Sequence, residues 1–195
     1  MKNTYYLVRH GESLKNVEGF ESSWPEKRRV PLTEKGIREA KSVAAEIKNK
    51  KIDLIFSSDL LRTKQTAEII AKESGIGFKE DKRLREPGLG IFNGLSNKKY
   101  GVFWNLGKKL TPLQHYRNRY RVPAPKGESY KDVEERLKSF IKETERRYKG
   151  KNIIIVSHAR PLTLLEKIVY KHSLEKFVRI IMNKKEIKTG EFKKL

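Results

Sequence analysis

The residues of this chain with chemistry in them gather where apolar runs stop. Tyr5-Tyr6-Leu7-Val8 breaks into Arg9-His10-Gly11-Glu12-Ser13, and Ile153-Ile154-Ile155-Val156-Ser157 breaks into His158-Ala159-Arg160. Neutral imidazole is a competent nucleophile near physiological pH, and an arginine beside it offers a fixed cation to an anionic group. If the two runs pair as parallel neighbours, both histidines meet at one sheet edge. A glycine there lets the backbone approach a ligand or take a conformation closed to other residues. Arg62 follows a small polar turn, Ser57-Ser58-Asp59, in the first or second turn of a helix, where free N–H groups and the dipole favour an anion. Glu86 is the lone carboxylate of the loop Leu84–Gly94, which holds three glycines and a proline. Taken singly, each has a plainer reading: a structural strand-end histidine, a solvated arginine, a surface carboxylate. For Asn16, close after His10, the plainer reading is a turn residue.

The elements that must hold these groups show in the patterning. Tyr5–Val8, Ile52–Phe56 and Ile153–Val156 are short runs of strand formers. Thr33 is suited to cap a helix in which Ile37, Ala40, Val43, Ala44 and Ile47 recur at helical spacing. A second helix runs through Arg62 to Ile69 and Ile70. Ser129 is suited to cap a third, with Asp132 in its first turn and Val133, Leu137, Phe140 and Ile141 facing inward. Pro161 stands near the start of a fourth that carries Leu162, Leu164, Leu165, Ile168 and Val169. Strand followed by helix, repeated, predicts an α/β fold with a mostly parallel sheet, whose ligands bind beyond the carboxyl ends of the strands. Gly11–Pro31 reads as a long polar loop without periodicity, and Lys79–Leu84 as a short strand or extended connection. Ser96–Pro125 reads as a partly helical lid in which Tyr100, Phe103, Trp104, His115, Tyr116 and Arg119 interleave rings and cations. From Phe177 onward the chain reads as extended segments, Val178–Met182 and then Glu186–Lys188.

A chain of 195 residues suits one domain with a real core. The absence of cysteine excludes disulfides, thiolate chemistry and sulfur-ligated metals. The four histidines, His10, His115, His158 and His172, do not form a metal-ligand spacing. No apolar run reaches the length of a membrane span, and the N-terminus enters a strand with no signal-peptide core. A soluble, cytoplasmic protein with no membrane partner is expected. The net charge is +21, from 45 basic and 24 acidic residues. That suits nucleic acid, an anionic surface or the steering of anionic substrates. The lysines are scattered, as at Lys48, Lys98, Lys108 and Lys184, and mixed with acidic residues. They read as a general lysine bias, so a nucleic-acid partner is not expected.

The order of these segments resembles one family. L-V-R-H-G-E-S with Asn16, P-L-T-x-x-G at Pro31–Gly36, S-x-L-x-R-x-x-Q-T-A at Ser58–Ala67, L-x-E-x-x-x-G-x-x-x-G at Leu84–Gly94, P-x-G-E-S at Pro125–Ser129 and S-H at His158 resemble the histidine phosphatase superfamily, branch 1. This superfamily includes the cofactor-dependent phosphoglycerate mutases. The resemblance implies an α/β three-layer sandwich over residues 1–195, with a substrate-cap insertion at about 96–125. It implies that His10 attacks phosphorus, that Glu86 protonates the leaving alkoxide, and that Arg9, Arg62 and His158 hold the non-bridging oxygens. Asn16 and the residue after His158, here Ala159 where the family often has glycine, would assist in binding substrate. No cofactor or metal is implied. The family usually carries an aspartate before x-P-L-T; Arg28-Arg29-Val30 stands there instead. Mutases of this type tend to be longer, which favours a phosphatase of small phosphorylated metabolites. The phosphohistidine-protein phosphatases tend to lack the acid loop. A phosphoglycerate mutase, and a polyanion- or RNA-binding protein on the same scaffold, are the alternatives. Inorganic phosphate is the expected product or ligand. The oligomeric state is not legible, and a homodimer is compatible with the sequence.

Overall fold

The structure, a computed structural model, describes residues 1–100 and 110–195. In chain order these form β1 (Thr4–Arg9), α1 (Leu14–Glu18), α2 (Glu34–Ile47), β2 (Leu54–Ser57), α3 (Leu61–Ser74) and β3 (Phe78–Glu80). Beyond the acid loop come α4 (Pro112–Arg121), α5 (Tyr130–Arg147), β4 (Asn152–Ser157), α6 (Ala159–Val169), α7 (Leu174–Met182) and β5 (Phe192–Lys194).

The sheet order is β3-β2-β4-β1-β5, parallel throughout except for β5, which runs antiparallel at the edge. Successive strand side chains point to opposite faces, and this divides the core in two. Tyr5, Leu7, Ile153 and Ile155 face α5, α6 and α7, packing on Leu137, Phe140, Leu165 and Phe177. Tyr6, Val8, Ile154 and Val156 face α2 and α3, packing on Val43, Ile47, Ala67 and Ile70. The result is the expected three-layer α/β arrangement. The β1–β4 register ends with Arg9 opposite Ser157, so His10 and His158 leave the sheet side by side.

The predicted caps form. Thr33 Oγ1 accepts from the Gly36 N–H at 3.1 Å, and Ser129 Oγ accepts from the Asp132 N–H at 3.2 Å. Among the described residues no helix is long and apolar enough to cross a membrane.

Four local expectations are corrected. Val178–Met182 is not extended but the second half of α7. Ser173 Oγ caps that helix by accepting from the Lys176 N–H. Phe177, Val178 and Ile181 are buried at helical spacing, so the period of 3.6 overrides the local preference of β-branched residues for strands. Glu186–Lys188 belongs to no strand; the C-terminal strand is β5, whose three residues carry one apolar side chain. The loop after His10 is not wholly irregular. It contains α1, closed by Gly19 in the left-handed conformation at φ 66°. Residues 82–84 form a single 3-10 turn after β3 rather than continuing the strand.

Gly11 is explained by close approach of another kind than a ligand's. A Cβ there would lie 2.3 Å from the Gly36 carbonyl oxygen, and a Cβ on Gly36 would lie 2.0 Å from the Glu12 carbonyl oxygen. Two glycines from separate motifs thus let the chain after His10 cross the start of α2 backbone to backbone.

Candidate active site

His10 is almost wholly buried, and its Nδ1 lies 2.8 Å from the Gly11 carbonyl. A carbonyl only accepts, so Nδ1 carries the proton and Nε2 keeps its lone pair. Burial, reinforced by Arg62 and Arg9, holds the His10 pKa well below the ordinary imidazole value. Gly11 is itself pinned. Its N–H donates to Thr66 Oγ1 at 3.1 Å, and that hydroxyl donates to the Arg62 carbonyl at 2.8 Å. Gln65 accepts from the Leu32 N–H at 2.8 Å. The Q-T pair of the Ser58–Ala67 motif therefore ties α3 to Gly11 and to Leu32, on either side of the loop after His10.

His158 sits 5.3 Å from His10 between ring centroids, edge to face. Its Nε2 is 3.0 Å from Ser58 Oγ, and its Nδ1 is buried without a hydrogen bond, 3.9 Å from Glu86 Oε2. Burial, then Arg62 and His10, holds its pKa well below the ordinary value too. Both rings are neutral near pH 7. Glu86 Oε1 is likewise buried with no hydrogen-bond partner. His158 also caps α6, so Ala159 stands at that helix's N-terminus, where first-turn N–H groups lack intrahelical partners.

The arginines differ in how they are held. Arg9 Nη1 donates to the Ile187 carbonyl at 3.0 Å, while its Nε is buried without a partner. Arg62 is fully buried. Its Nη1 donates to Glu26 Oε1 at 3.0 Å and its Nη2 to the Ser22 carbonyl at 3.2 Å, leaving Nε without a partner. Glu26 also accepts from the Leu61 N–H at 3.2 Å, so a carboxylate occupies the N-terminus of α3.

A cavity of about 250 Å³ opens in front of this group. Arg9, Glu86, Ala159, Arg160, Tyr116 and Arg119 are among the residues that line it. Arg160 pairs with Glu186. Of the ring-and-cation segment, Tyr100, His115, Tyr116 and Arg119 reach the cavity. Tyr120 instead donates to Glu134 at 2.8 Å and Arg117 pairs with Glu175 at 3.2 Å; Phe103 and Trp104 lie outside the described residues.

Four predicted residues do not line this cavity: His10, Arg62 and His158, which are buried, and Asn16. Asn16 is exposed and does not line the cavity; its Oδ1 accepts from the Ser13 N–H at 3.0 Å and from the Ser13 hydroxyl at 2.8 Å. It acts as the reciprocal half of a capping box on α1. Lys15, its neighbour, lines the cavity instead.

The sequence reading also missed four supports. Ser58 touches His158, and Glu26 holds Arg62. Arg136 and Glu128 fasten the acid loop: Arg136 Nη2 donates to the Arg85 carbonyl at 2.7 Å, and Glu128 accepts from Arg136 Nε at 2.9 Å and from the Gly88 N–H at 2.7 Å. The P-x-G-E-S turn was a signal for Glu128; nothing in the spacing pointed to Glu26. Glu12 binds Lys35 at 2.8 Å and the Thr33 hydroxyl at 2.9 Å. These bonds hold its pKa below the usual carboxylate range. Among the described residues no three metal-ligating side chains converge; the donors present suit an anion.

Comparisons with known proteins point to one family. A family model described as "Histidine phosphatase superfamily (branch 1)" matches residues 5–194. A relative named "Probable phosphoglycerate mutase GpmB", from Yersinia pestis (strain Pestoides F), is 35% identical over 170 residues, covering 82% of this chain and 71% of its own. The solved mycobacterial glucosyl-3-phosphoglycerate phosphatase superposes with a TM-score of 0.81 at 22% identity, covering 98% of this chain and 89% of that one. The alpha-ribazole phosphatase of Shigella flexneri superposes at 0.78 with 23% identity, covering 98% and 89%. At these identities the two structures speak to the fold. YhfR of Bacillus stearothermophilus superposes at 0.78 with 28% identity, covering 90% and 83%.

Proposed function

Because the chain belongs to branch 1 of the histidine phosphatase superfamily, we propose that it hydrolyses phosphate monoesters of small metabolites through a phosphohistidine on His10. In the first step the His10 Nε2 lone pair forms a bond to phosphorus. The bond from phosphorus to the ester oxygen breaks, and the protonated Glu86 carboxyl gives its proton to the departing alkoxide. In the second step water loses a proton to Glu86 and attacks phosphorus. The phosphorus–nitrogen bond breaks, the lone pair returns to His10, and phosphate leaves. Arg9, Arg62 and neutral His158 hold the non-bridging oxygens and stabilise their charge.

The observation that carries this reading is a ring nitrogen kept unprotonated on His10, which packs 5.3 Å from His158, with the cavity-lining Glu86 in turn 3.9 Å from His158 Nδ1 and one of its oxygens unbonded. The cavity of about 250 Å³ lies just below the usual range of ligand pockets, about 300–1,000 Å³. That favours a small polar ester over a phosphoprotein or a lipid. The relatives named as mutases favour a second reading, transfer of the phosphoryl group to another substrate hydroxyl.

One experiment covers both. The enzyme is quenched in alkali during turnover of a labelled ester, and products are followed over a panel of phosphorylated metabolites that includes 3-phosphoglycerate. Hydrolysis predicts an alkali-stable, acid-labile label on the His10 peptide and release of inorganic phosphate. Label on a serine, or full activity in His10→Ala, would overturn the mechanism. Phosphate retained and moved between hydroxyls would make the protein a mutase.

A further inference from the structure

We propose that Lys15 contacts the oxygens of the transferring phosphoryl group, in the role the motif resemblance gives to Asn16; this rests on the phosphohistidine reading above. The first support is geometric. Adjacent residues on a helix project about 100° apart. The Ser13–Asn16 capping box turns Asn16 back onto the start of α1 and leaves it exposed, while Lys15 lines the cavity. The helix is held in that orientation at its other end, where the N–H of Gly19 donates to the Lys15 carbonyl at 3.2 Å.

The second support is the lack of a counter-ion. Arg62 is paired with Glu26 and Arg160 with Glu186. Among the described residues Lys15 makes no hydrogen bond or ion pair through its ammonium, although Glu21 and Glu86 line the same cavity. A half-buried ammonium in that position loses hydration without recovering a partner. A phosphoryl dianion beside Arg9 would supply one. The charges acting on Lys15 come from every side of the site. Burial lowers its pKa, Arg62 and Arg9 lower it further, and Glu86 and Glu21 oppose them.

In the reaction, the ammonium would sit by one equatorial oxygen while charge spreads over all three. Lysine does this as a mobile point charge, without the fixed fork of an arginine.

The test uses inhibition by orthovanadate and by inorganic phosphate, with p-nitrophenyl phosphate as substrate. Lys15→Met should raise both inhibition constants and lower kcat/KM by about 10- to 100-fold, the worth of a charge-assisted hydrogen bond. Lys15→Arg should restore most of the affinity. In the wild type, phosphate affinity should fall on the alkaline side at a pH below the ordinary lysine value of about 10.4, and in Lys15→Arg that limb should vanish. Lys15→Gln gives a second neutral variant, and the thermal shift on adding phosphate reads binding without catalysis. Unchanged inhibition constants in both neutral variants would overturn the proposal and leave the phosphatase reading intact. An equal or larger loss in Asn16→Ala would return the contact to Asn16. A wild type that turns over no ester yet binds phosphate through Lys15 would overturn the phosphatase reading instead.

Discussion

Replacing Glu26 with glutamine keeps the shape of a side chain and removes its charge, and the consequence should be read at Arg62. That guanidinium has no exposed surface, while Glu26 keeps 18% of its side chain exposed. Breaking a buried pair by removing one partner costs about 3–5 kcal/mol. Two features reduce this figure. Glutamine retains a carbonyl that accepts from Arg62 or from the Leu61 N–H, and Glu86 still acts on the same guanidinium. Roughly 2 kcal/mol remains, the difference between a charge-assisted and a neutral hydrogen bond plus part of the uncompensated charge. For a chain of this length about 1 kcal/mol corresponds to about 2–4 °C, so Tm should fall by roughly 4–8 °C in phosphate-free buffer. Saturating phosphate should then stabilise Glu26→Gln more than the wild type, because a dianion replaces the missing carboxylate beside Arg62. Differential scanning calorimetry with and without phosphate measures both. A Tm within about 1 °C of the wild type would mean the Arg62–Glu26 pair carries no stability, and the reasoning fails there.

Two other outcomes follow from the same site. His10 and His158 have folded pKa values held well below the ordinary imidazole value by burial and nearby cations, so below about pH 6.5 the unfolded chain binds more protons than the folded one. The stability they permit is complete above that pH and declines as pH falls toward the depressed folded values, by up to about 1.4 kcal/mol per pH unit for each histidine. Urea unfolding between pH 7.5 and 5 should show it, and a flat profile would contradict neutral, buried rings. Glu86→Gln should slow the burst phase on alkyl phosphates by about 10²–10⁴-fold and much less on p-nitrophenyl phosphate, whose leaving group needs little protonation. Equal burst losses on both substrates would reduce Glu86 to positioning the phosphate.

What the sequence made legible was whatever rests on local pattern. Short continuous apolar runs gave β1 and β4, and their sequels His10 and His158 met because parallel register leaves Arg9 opposite Ser157. Thr33 and Ser129 worked as caps because capping needs only neighbours within one turn. The failures needed contacts across the chain. Asn16 is a local case: it is exposed outside the cavity, and its amide oxygen serves the capping box with Ser13 while its side-chain N–H groups stay uncommitted among the described residues. Glu26 reaches Arg62 over a separation of 36 residues, and no periodicity encodes that. Helix α7 was misread because Val178, Ile180 and Ile181 prefer strands singly, while burial chose the face shared by Phe177, Val178 and Ile181.

The basic site and the neutral nucleophile are one arrangement. On the phosphohistidine reading, Arg9 and Arg62 would draw a phosphoryl dianion in, and the same charges lower the pKa of His10, so the ring that would meet phosphorus has its Nε2 lone pair. Once a bond to phosphorus forms, positive charge must spread over the imidazole. The Nδ1–H then matters, because it donates to the Gly11 carbonyl 2.8 Å away and that dipole takes up part of the charge. The carbonyl can face His10 because Gly11 fits against Gly36 with no Cβ between them and is fixed by Thr66. A methyl group at either glycine would push the carbonyl off this line before it touched any substrate. The glycines of two separate motifs thus act on the reaction through the tautomer of one histidine.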